Sequence, residues 1–171
     1  MDPATFEHHR PLFLRVNRTL GAALLENKLV TPEGVEKANG RILELLKNSE
    51  WKQASLLNVL LAGVDSLKES ALIQYQVDAY ELGLINLTNI NVERSVDHTL
   101  DLAACWATRT LPYERAEEFV MMATNFNMSE VVRQWWQEKF KGLQLVWSVC
   151  PSANLAEALE RVEAKQSKEK Q

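Results

Sequence analysis

The fold is decided by the stretch Leu20-Gly21-Ala22-Ala23-Leu24-Leu25-Glu26-Asn27-Lys28-Leu29-Val30-Thr31-Pro32. Its apolar residues recur at helical spacing as far as Leu25. Threonine followed by proline is typical of a helix start, with Thr31 as the N-cap and Pro32 at the first helical position. One helix therefore ends before the turn at Lys28 and another begins after Thr31, so this stretch predicts a helical hairpin.

A second hairpin of the same kind is predicted further along the chain. Residues 57–73 repeat the order of Leu-rich helix, short turn and amphipathic helix, which we interpret as a weak internal repeat. The alternative is that any two helical hairpins look alike at this level. Asp65 or Ser66 is expected to cap the last of the four helices, and Gly83 to end it.

The character of the sequence changes after Gly83. Residues 84–92 are rich in asparagine and β-branched side chains, which favours an extended linker or edge segment. Beyond it we predict helix, strand, strand, helix, strand and helix, with Pro112 confining its strand to a sheet edge. The chain is thus predicted to be α+β, with a four-helix subdomain over 1–83, a linker over 84–92, a sheet of about three strands packed with helices over 93–164, and a frayed tail over 165–171.

Composition restricts the class of protein. The chain has 171 residues, 46% hydrophobic and 25% charged, with a net charge of −4. This is the balance of a globular domain, without the basic excess that nucleic-acid binding requires. No apolar run approaches the ~18 residues of a membrane span, and the first ten residues do not resemble a signal peptide. Cys105 and Cys150 lie in apolar contexts and are expected to be buried free thiols, so we expect a cytoplasmic protein.

The usual signatures of catalysis and cofactor binding are missing from the sequence. None of the six glycines heads a phosphate-binding Gly-Lys-Ser or Gly-Lys-Thr, and no Gly-x-Ser-x-Gly nucleophile motif occurs. His8 and His9 are adjacent, His98 is isolated and the cysteines are far apart, so the spacing of zinc ligands is absent. We predict no metal, no cofactor and no enzymatic activity.

One route to acid–base catalysis remains open. Glu114, Glu117 and Glu118 lie close together, as paired catalytic carboxylates do. No histidine or nucleophile is near them in sequence, so we favour a charged turn between edge strands.

Two adjacent tryptophans are the candidate partner surface. Trp135 and Trp136 lie on a predicted helix, so their side chains point about 100° apart. One can face the core while the other lies near the surface, and an exposed tryptophan marks a partner surface. The alternative is that both seal the helix against the sheet.

Several short motifs follow one another in an order typical of one family. They are Leu20-Gly21, Leu24-Leu25, Leu29-Val30, Thr31-Pro32, Leu82-Gly83-Leu84, Leu111-Pro112-Tyr113, Val120–Thr124 and Asn154–Val162. Their order resembles the N-terminal domain of type II secretion and type IV pilus assembly ATPases. The resemblance covers nearly the whole chain, and it implies a non-catalytic regulatory module that docks onto a secretion or pilus assembly protein.

One branch of that family binds cyclic di-GMP through two copies of a helical-hairpin motif. The motif begins Arg-Leu-Gly, has a glycine at its turn and ends in glutamine. The resemblance implies a candidate ligand site formed by Arg18, Leu20, Gly21, Leu24 and Leu25.

This sequence departs from that motif at its polar positions. Thr19 stands where the arginine is expected, Lys28 replaces the turn glycine, and Ile42 replaces the glutamine. We therefore predict that cyclic di-GMP binding is lost or weak, and that a protein is the main partner. The alternative function is that of a cyclic dinucleotide receptor with a degenerate motif.

Overall fold

The computed structural model describes residues 3–97 and 99–169. His98 and the last two residues of the predicted tail, 170 and 171, lie outside the described residues. The first part of the chain is helical, as predicted. Its helices are α1 (Pro3–Glu26), α2 (Pro32–Lys47), α3 (Leu56–Val59), which continues into a π-helical turn (Leu60–Val64), and α4 (Glu69–Tyr80).

The turn between α1 and α2 forms as the sequence predicts. The hydroxyl of Thr31 accepts a hydrogen bond from the Gly34 backbone N–H at 3.0 Å, which caps α2. Lys28, at the expected glycine position, adopts a left-handed φ of 55°. The Leu29 N–H then bonds the Leu24 carbonyl at 2.9 Å, which closes the end of α1.

The predicted caps of α4 are wrong at both ends. The N-cap position is Lys68, which makes no side-chain capping bond. The Asp65 carboxylate instead accepts from the Thr31 backbone N–H at 3.1 Å and the Thr31 hydroxyl at 2.7 Å. At the other end the left-handed residue is Glu81, with a φ of 53°, because Gly83 already belongs to a strand.

A mixed four-stranded sheet forms the second part of the fold, so the α+β class is confirmed. Its order is β1-β4-β3-β2; β2 is antiparallel to β3, whereas β4 is parallel to both β3 and β1. Pro112 lies on an edge strand, as predicted. The remaining elements are β1 (Gly83–Leu84), α5 (Val92–Ser95), α6 (Leu102–Thr108), β2 (Thr110–Arg115), β3 (Phe119–Thr124), α7 (Glu130–Lys139), β4 (Gln144–Val149) and α8 (Ser152–Glu169).

The last helix is longer than expected. Residues 165–169, which we expected to belong to a frayed tail, continue α8. Two side chains attach this end to the body of the protein, because Lys165 bonds the Glu93 carbonyl and Gln166 bonds the Leu100 carbonyl.

Helix α1 is tied to the start of two later helices. The Thr19 hydroxyl lies 2.6 Å from the hydroxyl of Ser129, the N-cap residue of α7. The His9 Nε2 atom lies 2.7 Å from a carboxylate oxygen of Asp101, the N-cap residue of α6. The inner face of α1 is therefore fixed against the sheet-containing part of the chain.

Two fully buried polar side chains join other parts of the helical region to the sheet-containing part. The Gln76 amide bonds the Asn125 carbonyl at 3.1 Å and the Asn127 N–H at 2.7 Å. The Arg109 guanidinium donates to the Lys52 carbonyl at 2.6 Å. Burial lowers the pKa of Arg109 to about 10, so it remains protonated at neutral pH.

Candidate functional site

An open groove between α1 and α2 contains most of the predicted ligand site. Its volume is about 440 Å³, and Arg18, Gly21 and Leu25 line its α1 side. Val35 and Leu43 line the α2 side. Three of the five residues predicted from the family motif therefore come together in one groove.

The other two predicted site residues do not line the groove. Leu20 and Leu24 are completely buried in the hydrophobic core. They are four residues apart, so they share the helix face that holds α1 against the rest of the protein. A side chain on the core face of a helix cannot reach the groove, so these two residues lie apart from the other three predicted site residues.

Gly21 brings the two walls of the groove together. A Cβ atom at this position would lie 3.2 Å from the Leu56 Cδ2 atom and 3.7 Å from the Val35 Cγ1 atom. Asn17 fixes the same region, since its side-chain oxygen accepts the Leu56 N–H at 2.8 Å and its amide donates to the Phe13 carbonyl. The base of the groove is thus close-packed, and the Asn17 side chain and the Leu56 N–H at this base both have hydrogen-bond partners.

Two exposed leucines face each other across the groove. Leu14 on α1 is 46% exposed and Leu43 on α2 is 56% exposed, and both line the groove. Neither leucine was predicted as a site residue from the sequence. The signal was present, because each leucine falls off the apolar stripe of its own helix, but only the packing of α1 against α2 brings them to the same groove.

The charge of the groove is positive. Arg18 is its one charged lining residue, and it makes no ion pair with any residue in the described ranges. Arg15, three residues earlier on the exposed side of α1, is likewise unpaired there. Since the whole chain carries a net charge of −4, this basic strip is a local feature of α1.

The two tryptophans have different environments. Trp136 is fully buried, and its indole N–H donates to the Thr108 hydroxyl at 3.0 Å, so it lies in the core and not at the surface. Trp135 is half-buried and lines a second open groove of about 660 Å³ between α1 and α7, with Arg15 and Lys141. Adjacent side chains on a helix point about 100° apart, so Trp136 faces the core while Trp135 faces the groove.

The carboxylates considered for catalysis lie near the β2–β3 turn and are exposed. Glu114 borders a groove with Arg94 and Arg115. Acid–base catalysis uses carboxylates that are held in a pocket, whereas all three of these side chains are solvated. Nothing in the surroundings of these three residues supports the enzyme interpretation.

The cysteines are buried free thiols, as predicted. Burial raises the pKa of Cys150 to about 12 and that of Cys105 well above its ordinary value, which makes both poor nucleophiles. Over residues 3–97 and 99–169, histidine, cysteine and carboxylate side chains form no cluster of three that could hold a metal ion. None of the helices in these ranges combines the length and apolar character of a membrane span.

The fold and the groove define a class of α+β domain in which two helical hairpins precede a small mixed sheet. A solved structure of MshE with cdg has this fold, with a TM-score of 0.52 and 20% sequence identity over 84% of this chain and 97% of that chain. At the level of the fold, the likeness confirms the family resemblance predicted from the sequence. No protein-family model matches the chain, and no curated protein matches it either.

Proposed function

We propose that this chain is a non-catalytic regulatory module of the cytoplasm that binds a partner protein in the groove between α1 and α2. The observation that carries the proposal is the pair of exposed leucines, Leu14 and Leu43, on opposite sides of one groove. Scattered exposed leucines are ordinary, but apolar side chains that converge on an open groove are typical of a binding surface.

The likeness to MshE supports a setting for this module. In the family that the sequence resembles, the corresponding domain docks onto secretion or pilus machinery. We propose a component of such machinery as the partner protein. Trp135, in the neighbouring groove between α1 and α7, is a second candidate contact with the same partner.

Site-specific crosslinking in the native cell tests the docking proposal. A photo-crosslinking amino acid placed at position 43 is expected to give one defined adduct. The same amino acid at position 84 is the matched control, because Leu84 is also an exposed leucine, at 64%, but lies on β1 away from the groove. Equal adducts from both positions, or none from position 43, would refute the proposed docking groove.

A second candidate function is the binding of cyclic di-GMP in the same groove. It is supported by the MshE structure, which was solved with cdg, and by Arg18 at the groove wall. A guanidinium group can pair with a phosphate or a guanine edge, and aliphatic walls can pack against base faces. The burial of Leu20 and Leu24 removes two of the apolar contacts that the motif implied.

Isothermal titration with cyclic di-GMP separates the two candidates. Receptor function predicts saturable heat that is lost in Arg18→Ala and retained in Arg94→Ala, which removes an exposed arginine on α5. If no heat develops at high micromolar ligand, the receptor function is rejected and the docking proposal is unaffected.

A further inference from the structure

We infer that the occupant of the α1–α2 groove is an acidic amphipathic helix of the partner protein, about three turns long. The inference rests on the proposed function and specifies the chemistry of the partner.

The shape of the groove favours a helix over an extended peptide. Both walls are helices, whose backbone N–H and C=O groups are already bonded within each helix. An extended peptide would find no strand edge here and would leave its own backbone groups unpaired against apolar walls. A helix satisfies its backbone internally and needs only side-chain contacts.

The length of the groove sets the length of the occupant. Along α1 its lining runs from Leu14 to Leu25, which at 1.5 Å per residue is about 16 Å, or about three helical turns. Ala22 is exposed between these ends and presents only a methyl group, which leaves room for an apolar residue of the incoming helix. Three helices packed side by side in this way would cover both Leu14 and Leu43.

The charge of the groove selects an acidic helix. Arg18 lines the groove, Arg15 is next to it on the exposed side of α1, and neither makes an ion pair within the described residues. On the same helix Glu7 is paired with Arg10, and Glu26 lies at the C-terminal end. A partner carboxylate opposite Arg18 would therefore meet a guanidinium group that is not already paired.

Fluorescence anisotropy with a synthetic helix tests the inference on the full chain. The probe is a labelled, stapled helix of about 14 residues with leucines at i, i+4 and i+7 and two glutamates flanking that stripe. The control probe has lysines in place of the glutamates. We expect saturable binding of the acidic helix that is at least about fivefold tighter than binding of the basic one.

Two variants locate the binding. Leu43→Ala is expected to weaken binding of the acidic helix about tenfold, whereas Leu84→Ala leaves it unchanged. Arg18→Glu is expected to weaken the acidic helix about fivefold and to strengthen the basic helix, whereas Arg94→Glu does neither. All four positions are exposed, and a thermal melt of each variant confirms that it remains folded.

The outcomes separate this inference from the proposed function. Equal affinity for acidic and basic helices, or an unchanged affinity in Leu43→Ala, overturns the inference. A defined crosslink from position 43 would leave the docking function standing in that case. Conversely, if crosslinking in the cell yields no adduct from position 43, the docking function is refuted, and the inference falls with it whatever the synthetic helices show.

Discussion

Replacing Gly34 by alanine is expected to destabilise the fold, although alanine is the better helix former. An added Cβ would lie only 1.8 Å from a carboxylate oxygen of Asp65 and 2.9 Å from its Cβ. The Asp65 side chain must therefore move, and its two hydrogen bonds from Thr31 are lost. Because Asp65 is partly solvated, the two bonds together contribute about 2 kcal/mol.

The helix propensity of alanine offsets about 0.5–1 kcal/mol of that loss. The net expectation for Gly34→Ala is a free energy of unfolding lower by about 1–2 kcal/mol, measured by urea denaturation. Gly40→Ala is the matched control in the same helix, since no atom lies within 4 Å of the Cβ it adds. That variant should be more stable than wild type by about 0.5–1 kcal/mol.

A second background isolates the cause. If the clash with the Asp65 side chain is responsible, Gly34→Ala introduced into Asp65→Gly, which removes the Cβ as well as the carboxylate, should be neutral or stabilising, as at position 40. The reasoning is refuted if Gly34→Ala stabilises the wild-type protein, or if it costs the same free energy with and without the Asp65 carboxylate.

Three further predictions test separate parts of the fold. Hydrogen bonds from Thr31 lower the pKa of Asp65 below its ordinary value of 3.8. The ionised carboxylate therefore stabilises the fold fully above about pH 3.8, and this contribution is lost as the pH falls through the lower pKa of the folded state. In urea titrations, the difference in unfolding free energy between wild type and Asp65→Ala should be constant from about pH 7 to 5 and should shrink below about pH 3.8. Arg109→Ala should lower the free energy of unfolding by about 3 kcal/mol, because the Lys52 carbonyl loses its partner and the packing of the side chain is lost. Arg109→Gly should lower it by about 1 kcal/mol less, because position 109 has a φ of 50°, which glycine adopts without strain. Equal losses in the two variants would contradict this backbone argument. Trp136→Ala should lower the unfolding free energy by about 3–5 kcal/mol and Trp135→Ala by less than half as much, since only Trp136 is fully buried.

The parts of the fold that depend on neighbouring residues were predictable from sequence. The cap that Thr31 provides for Gly34 spans three residues, so the pattern alone determines it. The caps of α4 were wrong because Asp65 bonds a residue 34 positions earlier in the chain. The strand β1 was expected only as a linker or edge segment, because its pairing depends on β4, which lies far ahead in sequence.

A sequence motif can indicate which residues share one face of a helix, and only that part of the candidate site was predictable from the sequence. Arg18, Gly21 and Leu25, three residues of the motif, lie on the groove side of α1. Leu20 continues the buried stripe of the helix, and that periodicity outweighs the motif. Leu43 could not be found from sequence, because its significance depends on how α2 packs against α1.

The position of helix α1 links the groove to the hydrogen exchange of helices on the other side of α1. Its outer face forms a wall of the groove, while Thr19 and His9 hold the first residues of α7 and α6. Backbone amides of α6 and α7 can exchange with solvent through an opening that detaches α1. A partner bound in the groove adds its binding free energy to the cost of that opening. Slower amide exchange is therefore expected in α6, which lines neither groove, and a purely local footprint would show that α1 does not open as a unit.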